Sequence, residues 1–339
     1  MAIGSLMDCL NSRDKLINKD NHHGYLPWHK KIGFLTFSFI YAYILQSFPL
    51  MEFKDRVSYI KYAADSDRLI EGYLSHGIVK LIANEPVWLM INASLAHLLT
   101  PEAIVRLIIF TAAFITSYVL LKSSPKNAGW IMVFLISPQI LLKYTLHLRQ
   151  GLAIAIFLLG YFSQGGLRRY LLMISSGFIH SSFFFIFPFL LIPYFAKKLR
   201  LALDVRIAVI ILVSIALILA IGFIAGILGA RQASLLGEVN VSGLGFIFWL
   251  GIACLFILEG GRYLREHQLA FSILIFYLFT YFSLVFSARI FESGLSLVLL
   301  AGLLLTGWRR QAFIVGYLLM MVFLWLTQYG TILPMLVSR

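Results

Sequence analysis

The chain has 339 residues, of which 60% are hydrophobic, 15% aromatic and 13% charged, and its mean hydropathy is +0.88. Soluble domains contain about 25% charged and about 45–50% apolar residues, so the composition excludes an ordinary soluble protein and predicts an all-α, polytopic membrane protein. The net charge of +13 does not indicate nucleic-acid binding, because Lys and Arg occur in ones and twos between apolar runs, as in the cytoplasmic ends of membrane proteins.

The N-terminal segment, residues 1–31, is predicted to be a polar cytoplasmic tail. It is too polar and too long to be the first part of a cleaved signal peptide, so the apolar run 32–48 is predicted to be an uncleaved first span. Residues 32–339 are then expected to form a single transmembrane bundle. Cys9 in the tail and Cys254 in an apolar run should lie at different depths, which predicts neither a disulfide nor a thiol metal site.

The next segment, residues 49–102, is predicted to be an external loop. Within it, the short apolar stretch 86–100 contains Asn92 and His97, so it is interpreted as an interfacial helix and not as a span. The run Asp65-Ser66-Asp67 resembles the metal-binding Asp-x-Asp motif of nucleotide-sugar glycosyltransferases. A three-residue motif often occurs by chance, so residues 65–67 are interpreted as part of an ordinary amphipathic stretch. No metal site is predicted.

The remaining apolar segments are often shorter than the roughly 20 residues that a spanning helix needs. They fall at 103–121, 129–146, 149–162, 170–195, 206–228, 243–259, 269–287, 290–306 and 312–333. Short or broken helices are tolerated at membrane depth only where protein or a wet cavity surrounds them. The long run 170–195 is predicted to cross twice, as two short helices that meet near His180.

The basic residues predict the orientation of the chain. With the tail inside and a double crossing at 170–195, 17 of the 28 Lys and Arg lie at cytoplasmic ends, as the positive-inside rule requires. A single crossing at 170–195 would instead place the last three groups of basic residues outside, at 197–206, 262–265 and 309–310. The pattern therefore predicts about eleven crossings, with 49–102 and 229–242 as outer loops.

This topology collects ionisable residues near the outer surface. An arginine in the middle of a spanning helix costs about 2.5–3.5 kcal/mol even on the milder scales, so such residues are usually functional. Arg149 and His180 interrupt apolar runs and are the strongest candidates. Simpler explanations remain open: an ion pair between Arg289 and Glu292 at i, i+3 spacing, a helix start at Glu85, and snorkelling of Arg231 and Glu238.

These residue types suit transfer from a lipid-linked pyrophosphate. Arginine matches phosphate oxygens with a planar fork, so Arg149 and Arg289, with Gln150, are predicted to bind the pyrophosphate. A histidine or a carboxylate can accept the proton of an attacking hydroxyl, and we rank His180 first, then Glu85 and Asp55. An outward-facing cavity lined by Arg149, His180 and Arg289, open sideways to lipid, is expected, and no cofactor. The secondary candidates are Glu292, Ser181, Tyr59 and Arg231.

The order of these motifs resembles the EpsG/Wzy-type polysaccharide (O-antigen) polymerase family. The resemblance runs over about 50–290 and rests on Asp55-Arg-Val-Ser-Tyr59, Glu85-Pro86, Leu148-Arg-Gln-Gly-Leu-Ala153, His180-Ser-Ser-Phe183 and Ala288-Arg-Ile-Phe-Glu292. It implies a GT-C-like fold in the bacterial inner membrane. It also implies transfer of a growing glycan from undecaprenyl pyrophosphate to the non-reducing end of a lipid-linked repeat unit at the periplasmic face, with a chain-length regulator as neighbour.

Three other functions compete with this one. An O-antigen ligase-like transferase would use the same donor with a lipid A core acceptor. A transporter or flippase of lipid-linked glycan would be expected to have paired halves and charges at the bilayer midplane. A membrane acyltransferase usually has a His and Arg pair near its first spans, and 32–48 contains neither residue.

Overall fold

The computed structural model describes residues 27–51, 54–163, 165–228, 243–283 and 287–332. In these ranges all regular structure is helical and no strand occurs, which confirms the predicted all-α class. Sixteen α-helices lie in the described ranges. They are α1 (Trp28–Ser47), α2 (Lys54–Ser75), α3 (Ile78–Ala83), α4 (Pro86–Ala96), α5 (Pro101–Ser123), α6 (Ala128–Leu135), α7 (Pro138–Thr145), α8 (Leu148–Tyr161), α9 (Gly166–Ile179), α10 (Phe187–Lys198), α11 (Leu203–Leu228), α12 (Leu244–Glu259), α13 (Gly261–Glu266), α14 (Gln268–Thr280), α15 (Ser287–Leu303) and α16 (Gly307–Ile332).

Contacts within the chain divide it into two compact units. Of the described residues, those from 27 to 183 and from 318 to 332 belong to the N-terminal unit, and those from 184 to 317 belong to the C-terminal unit. The single bundle over 32–339 and the cytoplasmic tail over 1–31 remain predictions. Helix α1 begins at Trp28, inside the predicted tail, because Pro27 precedes it and a proline is readily accommodated where a helix starts.

Helix α5 is the centre of the N-terminal unit. It packs against α1, α2 and α8, and α9 packs in turn on α8 and α4. Small buried residues, Ala112 and Ala113 on α5 and Ala153 and Ala155 on α8, let the helix backbones approach one another closely. This packing holds the ends of α4, α8 and α9 in one unit.

The helices break within two of the apolar runs, and one of these breaks, in 170–195, was predicted. The run 129–146 is divided into a bent pair, with 72° between Pro125–Leu135 and Pro138–Thr145. Pro138 opens the second helix because its missing N–H is not needed in a first turn. The run 170–195 is interrupted at His180, which is extended between α9 and a 3₁₀ turn at Ser181–Phe185. The predicted break near His180 is confirmed.

The number of crossings is not confirmed. Two of the described helices, Pro101–Ser123 and Gly307–Thr327, are long and apolar enough to cross a membrane, and the bent pair at 125–145 would make a third span. Other apolar helices, such as Leu148–Tyr161 and Gln268–Thr280, are shorter. The described chain is thus helical and apolar enough for membrane association, and the eleven crossings remain a prediction.

The predicted external loop, 49–102, contains three helices instead of one. Helix α4 occupies most of the stretch expected to be an interfacial helix. Helix α2 was not predicted, because its sequence is polar and contains no apolar run. Its buried residues Tyr59, Ala63 and Ser66 recur at helical spacing, and the helix packs against α4 and α5.

The C-terminal unit is organised around α14. This helix is buried along nearly its whole length and packs against α10, α11, α12 and α15. The ring of Phe313 on α16 lies against Gly302 on α15, where a Cβ atom would overlap it. Gly302 is therefore needed for close packing in this unit.

Candidate functional site

Three of the sequence-predicted residues, Glu85, Arg149 and His180, meet in the N-terminal unit. Glu85 stands immediately before α4, Arg149 is in the first turn of α8, and His180 follows the last residue of α9. They come together because α9 packs against both α4 and α8. The site is therefore built from helix ends, where backbone N–H and C=O groups have no hydrogen-bond partner within the helix.

Glu85 connects the other two residues. Its Oε2 accepts a hydrogen bond from Nη1 of Arg149 at 2.5 Å, and its Oε1 accepts from Nδ1 of His180 at 2.8 Å. The backbone N–H of Ser181 donates to the same Oε1 at 3.2 Å. The carboxylate thus fixes the position of Arg149 relative to His180.

The backbone of Glu85 is strained. It has φ 57° and ψ 59°, in the left-handed region that residues other than glycine rarely adopt, and it precedes a proline. Such conformations cost on the order of 1–3 kcal/mol and cluster at functional sites. The structure therefore maintains an unfavourable backbone conformation at the residue that organises the site.

Glu85 remains ionised at neutral pH. Burial alone would raise the pKa of its carboxyl, but the hydrogen bond with His180 and the positive charge of Arg149 outweigh burial and lower that pKa below its ordinary 4.5. An ionised carboxylate has no proton to donate, so the proton in the bond to His180 lies on Nδ1. This fixes the tautomer of the neutral imidazole, with its lone pair on Nε2.

His180 presents that second nitrogen to its surroundings. The side chain is 21% exposed, and within the described ranges Nε2 makes no hydrogen bond. A carboxylate on one ring nitrogen and a lone pair on the other is the arrangement that hydrolases use to orient a histidine base. The arrangement can accept a proton from a hydroxyl group that approaches Nε2.

Arg149 is surrounded by aromatic rings. Its Cζ lies 5.4 Å from the ring centre of Tyr62 and 6.0 Å from that of Tyr59, within cation–π range. Burial raises the pKa of Tyr59, although Arg149 opposes the shift, so the phenol keeps its proton. The guanidinium, whose side chain is 33% exposed, donates from Nη1 to Glu85 and also forms a side-chain hydrogen bond with Tyr59. Two of its five N–H donors are thereby accounted for.

The elbow between α7 and α8 places two more predicted residues nearby. Asp55 lies 3.7 Å from Nδ1 of His147, the residue before α8. Gln150 is buried, and its Oε1 accepts a hydrogen bond from Nζ of Lys143 at 3.3 Å. The elbow is tight at Gly151, where a Cβ atom would overlap the carbonyl oxygen of Lys143.

Sequence reasoning missed several residues of this region. Arg56 is fully buried and donates from Nε to the carbonyl of Thr145 at 2.9 Å, which ties α2 to the elbow. Lys143 is also buried. Arg56 and Lys143 are cations in or beside apolar sequence, the same feature that identified Arg149, but neither was predicted to be a site residue. Tyr62 and His147 carried no local signal.

The remaining predicted residues belong to the C-terminal unit, lie on α2 or fall outside the described residues. Arg289, which is exposed, and Glu292, which is half-buried, are on α15 in the C-terminal unit. Their part in the site, the sharing of a pyrophosphate by Arg149 and Arg289, and the cavity that Arg149, His180 and Arg289 would line remain predictions. Arg231 and Glu238 lie outside the described residues. Asp65 and Asp67 are exposed on α2.

Comparisons with protein-family models, with curated proteins and with solved structures find no match to the chain. The resemblance to the polymerase family therefore rests on its motifs alone.

Proposed function

We propose that the chain is a glycan polymerase of the bacterial inner membrane. It transfers a growing glycan from undecaprenyl pyrophosphate to the non-reducing end of a lipid-linked repeat unit at the periplasmic face. The observation that supports this proposal is a single carboxylate, Glu85, that joins Arg149 to His180. A group that suits phosphate and a group that suits proton transfer are thereby held in a fixed relation.

Arg149 binds the pyrophosphate of the donor. Its remaining N–H donors match phosphate oxygens in a planar fork, and it lies in the first turn of α8, where the helix dipole favours an anion. Glu85 offsets the guanidinium charge in the absence of donor. The half-buried ring of Tyr62 provides a flat surface beside the same guanidinium, and such a surface suits the apolar face of a sugar ring.

His180 is the base. Nε2 removes the proton from a hydroxyl of the acceptor sugar, and that oxygen forms a bond to the anomeric carbon of the donor glycan. The bond from the anomeric carbon to the pyrophosphate oxygen breaks, and undecaprenyl pyrophosphate leaves with the electron pair. Glu85 is less suited to this role, because both of its oxygens already accept hydrogen bonds and its pKa is lowered. The reaction calls on no cofactor.

The exchange Arg149→Lys tests this proposal. A lysine keeps the charge but cannot present two parallel donors to a pyrophosphate, so we expect turnover to fall by about 10²–10³-fold, as when a transition-state donor is removed. The assay uses purified protein with lipid-linked repeat units as donor and acceptor. The matched control is Arg168→Lys, at an exposed position on α9 of the same unit, which should keep full activity.

The products of the assay separate the competing functions. A ladder of lengthened lipid-linked glycans is expected, and a chain-length regulator added to the assay should narrow it. Transfer only to a lipid A core acceptor would replace the polymerase with a ligase. Movement of the lipid-linked glycan across the membrane without a new glycosidic bond would replace it with a transporter. Normal polymerisation by Arg149→Lys would refute the role of Arg149.

A further inference from the structure

A basic face in the C-terminal unit is formed where the ends of α10, α11, α12 and α16 meet around α13. It comprises three segments, 197–206, 259–266 and 304–310, which together contain eight basic and three acidic residues. The basic residues are Lys197, Lys198, Arg200, Arg206, Arg262, Arg265, Arg309 and Arg310, and the acidic residues are Asp204, Glu259 and Glu266. The basic face shares no residue with the site around Glu85.

Contacts between the three segments hold them together. The second segment lies against the first at Gly261, where a Cβ atom would come within 3.2 Å of the side chain of Leu203. The second segment also lies against the third, because Oε2 of Glu259 accepts a hydrogen bond from Nε of Arg309 at 2.6 Å. The three segments are therefore neighbours, and their charges act together.

The carboxylates of the basic face do not balance its cations. Glu259 and Glu266 each form an ion pair with an arginine of the face itself, at 2.6 and 2.9 Å. Within the described ranges, no ion pair joins a carboxylate to four of the cations, Lys198, Arg200, Arg206 and Arg265. Arg265 also lies close enough to Arg206 for their like charges to repel one another. An excess of positive charge therefore remains on this surface.

Helix dipoles explain only part of this excess. A cation near the C-terminal end of a helix is favourable, which accounts for Lys197 and Lys198 in the last turn of α10. Arg206 and Arg310 lie instead in the first turns of α11 and α16, where the dipole favours negative charge. Their charges therefore do not stabilise the helices that carry them.

Arg200 occupies a backbone position that favours glycine. It has φ 50°, in the left-handed region, and it follows the end of α10. Its N–H donates to the carbonyl of Lys197 at 3.3 Å, and the N–H of Leu201 donates to that of Ala196 at 2.9 Å, which is the Schellman pattern of a helix end. Glycine is usual at this position because it has no Cβ atom. The chain thus retains an exposed cation where glycine would be more stable.

Large apolar side chains are exposed among these cations. Leu199, Val205 and Trp308 are 63%, 42% and 58% exposed, and each directly precedes an arginine in the sequence. Cations interleaved with exposed aliphatic and tryptophan side chains are typical of the membrane–water interface, where the apolar groups enter the bilayer and the cations reach the headgroups. This combination favours a lipid surface over an acidic soluble protein as the partner.

From these observations we infer that the basic face binds anionic phospholipid headgroups of the cytoplasmic leaflet. Headgroup phosphates accept charge-assisted hydrogen bonds from lysine and arginine, and they replace the repulsion between Arg206 and Arg265 with attraction. The charge-based topology places the cations of all three segments on the cytoplasmic side, where the surface of the membrane is negative. The inference does not depend on the proposed glycan transfer.

Thermal unfolding of the purified, delipidated full-length protein in detergent tests the inference. Phosphatidylglycerol should raise the apparent melting temperature in a saturable way, and by more than zwitterionic phosphatidylcholine at the same concentration. The difference between the two lipids should shrink in about 1 M salt, where the Debye length is only about 3 Å.

The variant Arg200→Gly separates lipid binding from folding. Glycine relieves the left-handed backbone conformation, so the variant should be at least as stable as the wild type without lipid. It should nevertheless need about fivefold more phosphatidylglycerol for half of the stabilisation, the loss expected for one basic residue at an anionic surface. Arg265→Gln should show the same loss. The matched control Arg68→Gln removes an exposed cation of α2 in the N-terminal unit, and it should respond like the wild type.

Three results would overturn the inference. One is equal stabilisation of the wild type by phosphatidylcholine and phosphatidylglycerol. Another is a wild-type response to phosphatidylglycerol in both Arg200→Gly and Arg265→Gln. The third is stabilisation by soluble polyglutamate as strong as that by phosphatidylglycerol, which would assign the basic face to an acidic protein instead.

Discussion

At the residue scale, the main feature of the molecule is the use of one carboxylate for two purposes. Glu85 holds Arg149 through Oε2 and orients His180 through Oε1. It does so from a left-handed backbone conformation that is unfavourable for a glutamate. A strained residue with two ionisable partners is better explained by the positioning of those partners than by stability alone.

The exchange of His180 tests its role as the base. His180→Ala and His180→Gln should each lower the rate of transfer by about 10²–10⁴-fold, because neither side chain can accept a proton from the acceptor hydroxyl. The matched control is His76→Gln, an exposed histidine at the end of α2, which should leave the rate unchanged. The rates are measured with purified lipid-linked repeat units in the presence of EDTA.

Two outcomes of that assay would change the mechanism. Near-normal turnover of both His180 variants would transfer the role of base to a carboxylate. Loss of wild-type activity in EDTA that Mn²⁺ restores would instead favour a metal site at Asp65 and Asp67.

A pH profile of stability tests the interactions of Glu85. Its lowered pKa means that ionised Glu85 stabilises the folded state above the ordinary pKa of 4.5, and that this contribution is lost as pH falls through the lower, folded-state value. Glu85→Gln should be less stable than the wild type by about 1–3 kcal/mol at neutral pH, because Arg149 and His180 lose a charged partner. The difference in stability between Glu85→Gln and the wild type should become smaller as the pH falls below 4.5.

The measurement is thermal unfolding of both proteins in detergent between neutral pH and pH 3. A difference that stays constant across this range would contradict the assignment, because it would then arise from the shape of the side chain and not from its charge.

At the element scale, a glycine of one helix accommodates an aromatic ring of the next helix. Gly302 on α15 faces the buried ring of Phe313, and a Cβ atom there would overlap several ring atoms. Gly302→Ala should therefore lower the free energy of unfolding by about 1–3 kcal/mol, because a tightly packed core has no room for an added methyl group.

Gly251→Ala is the matched control, since no atom lies within 4 Å of the added Cβ on α12 of the same unit. There the alanine should be neutral or stabilise by up to about 1 kcal/mol, through its better helix propensity. Equal effects of the two exchanges on thermal unfolding would show that Gly302 is not tightly packed.

The helix break at His180 was more predictable than the polar helix α2. The polar triplet at His180 interrupts an apolar run, and this break occurs where the length of the run predicted it, whereas the break before Pro138 was not predicted. Helix α2 was missed because its stability depends on one buried face, which only its packing against α4 and α5 defines. Local sequence therefore indicates where helices end better than it indicates which polar segments are helical.

At the scale of the whole molecule, the distribution of charge predicts the orientation. This orientation can be tested with two variants that each carry one cysteine, in a background in which Cys9 and Cys254 are replaced by serine. Ser75→Cys lies in a segment predicted to be outside, and Lys126→Cys lies in a segment predicted to be inside. A membrane-impermeant maleimide should label Ser75→Cys in intact spheroplasts, but Lys126→Cys only after permeabilisation, because the positive-inside rule retains the basic segment 122–126 in the cytoplasm. Both positions are exposed, so burial does not explain a difference.

Equal labelling of both positions in intact spheroplasts would refute the charge-based topology. It would also remove the reason for an outward-facing site at His180.

Composition and the lengths of apolar runs were enough to determine that the chain is helical and to mark Arg149 and His180, because burying a charge or a polar ring in an apolar run is costly wherever the run lies. The tertiary structure alone decided that Glu85 joins them, across 64 residues to Arg149 and 95 to His180. It also decided which nitrogen of His180 holds the proton. Local periodicity carries no information about such contacts, since they depend on α9 packing against both α4 and α8.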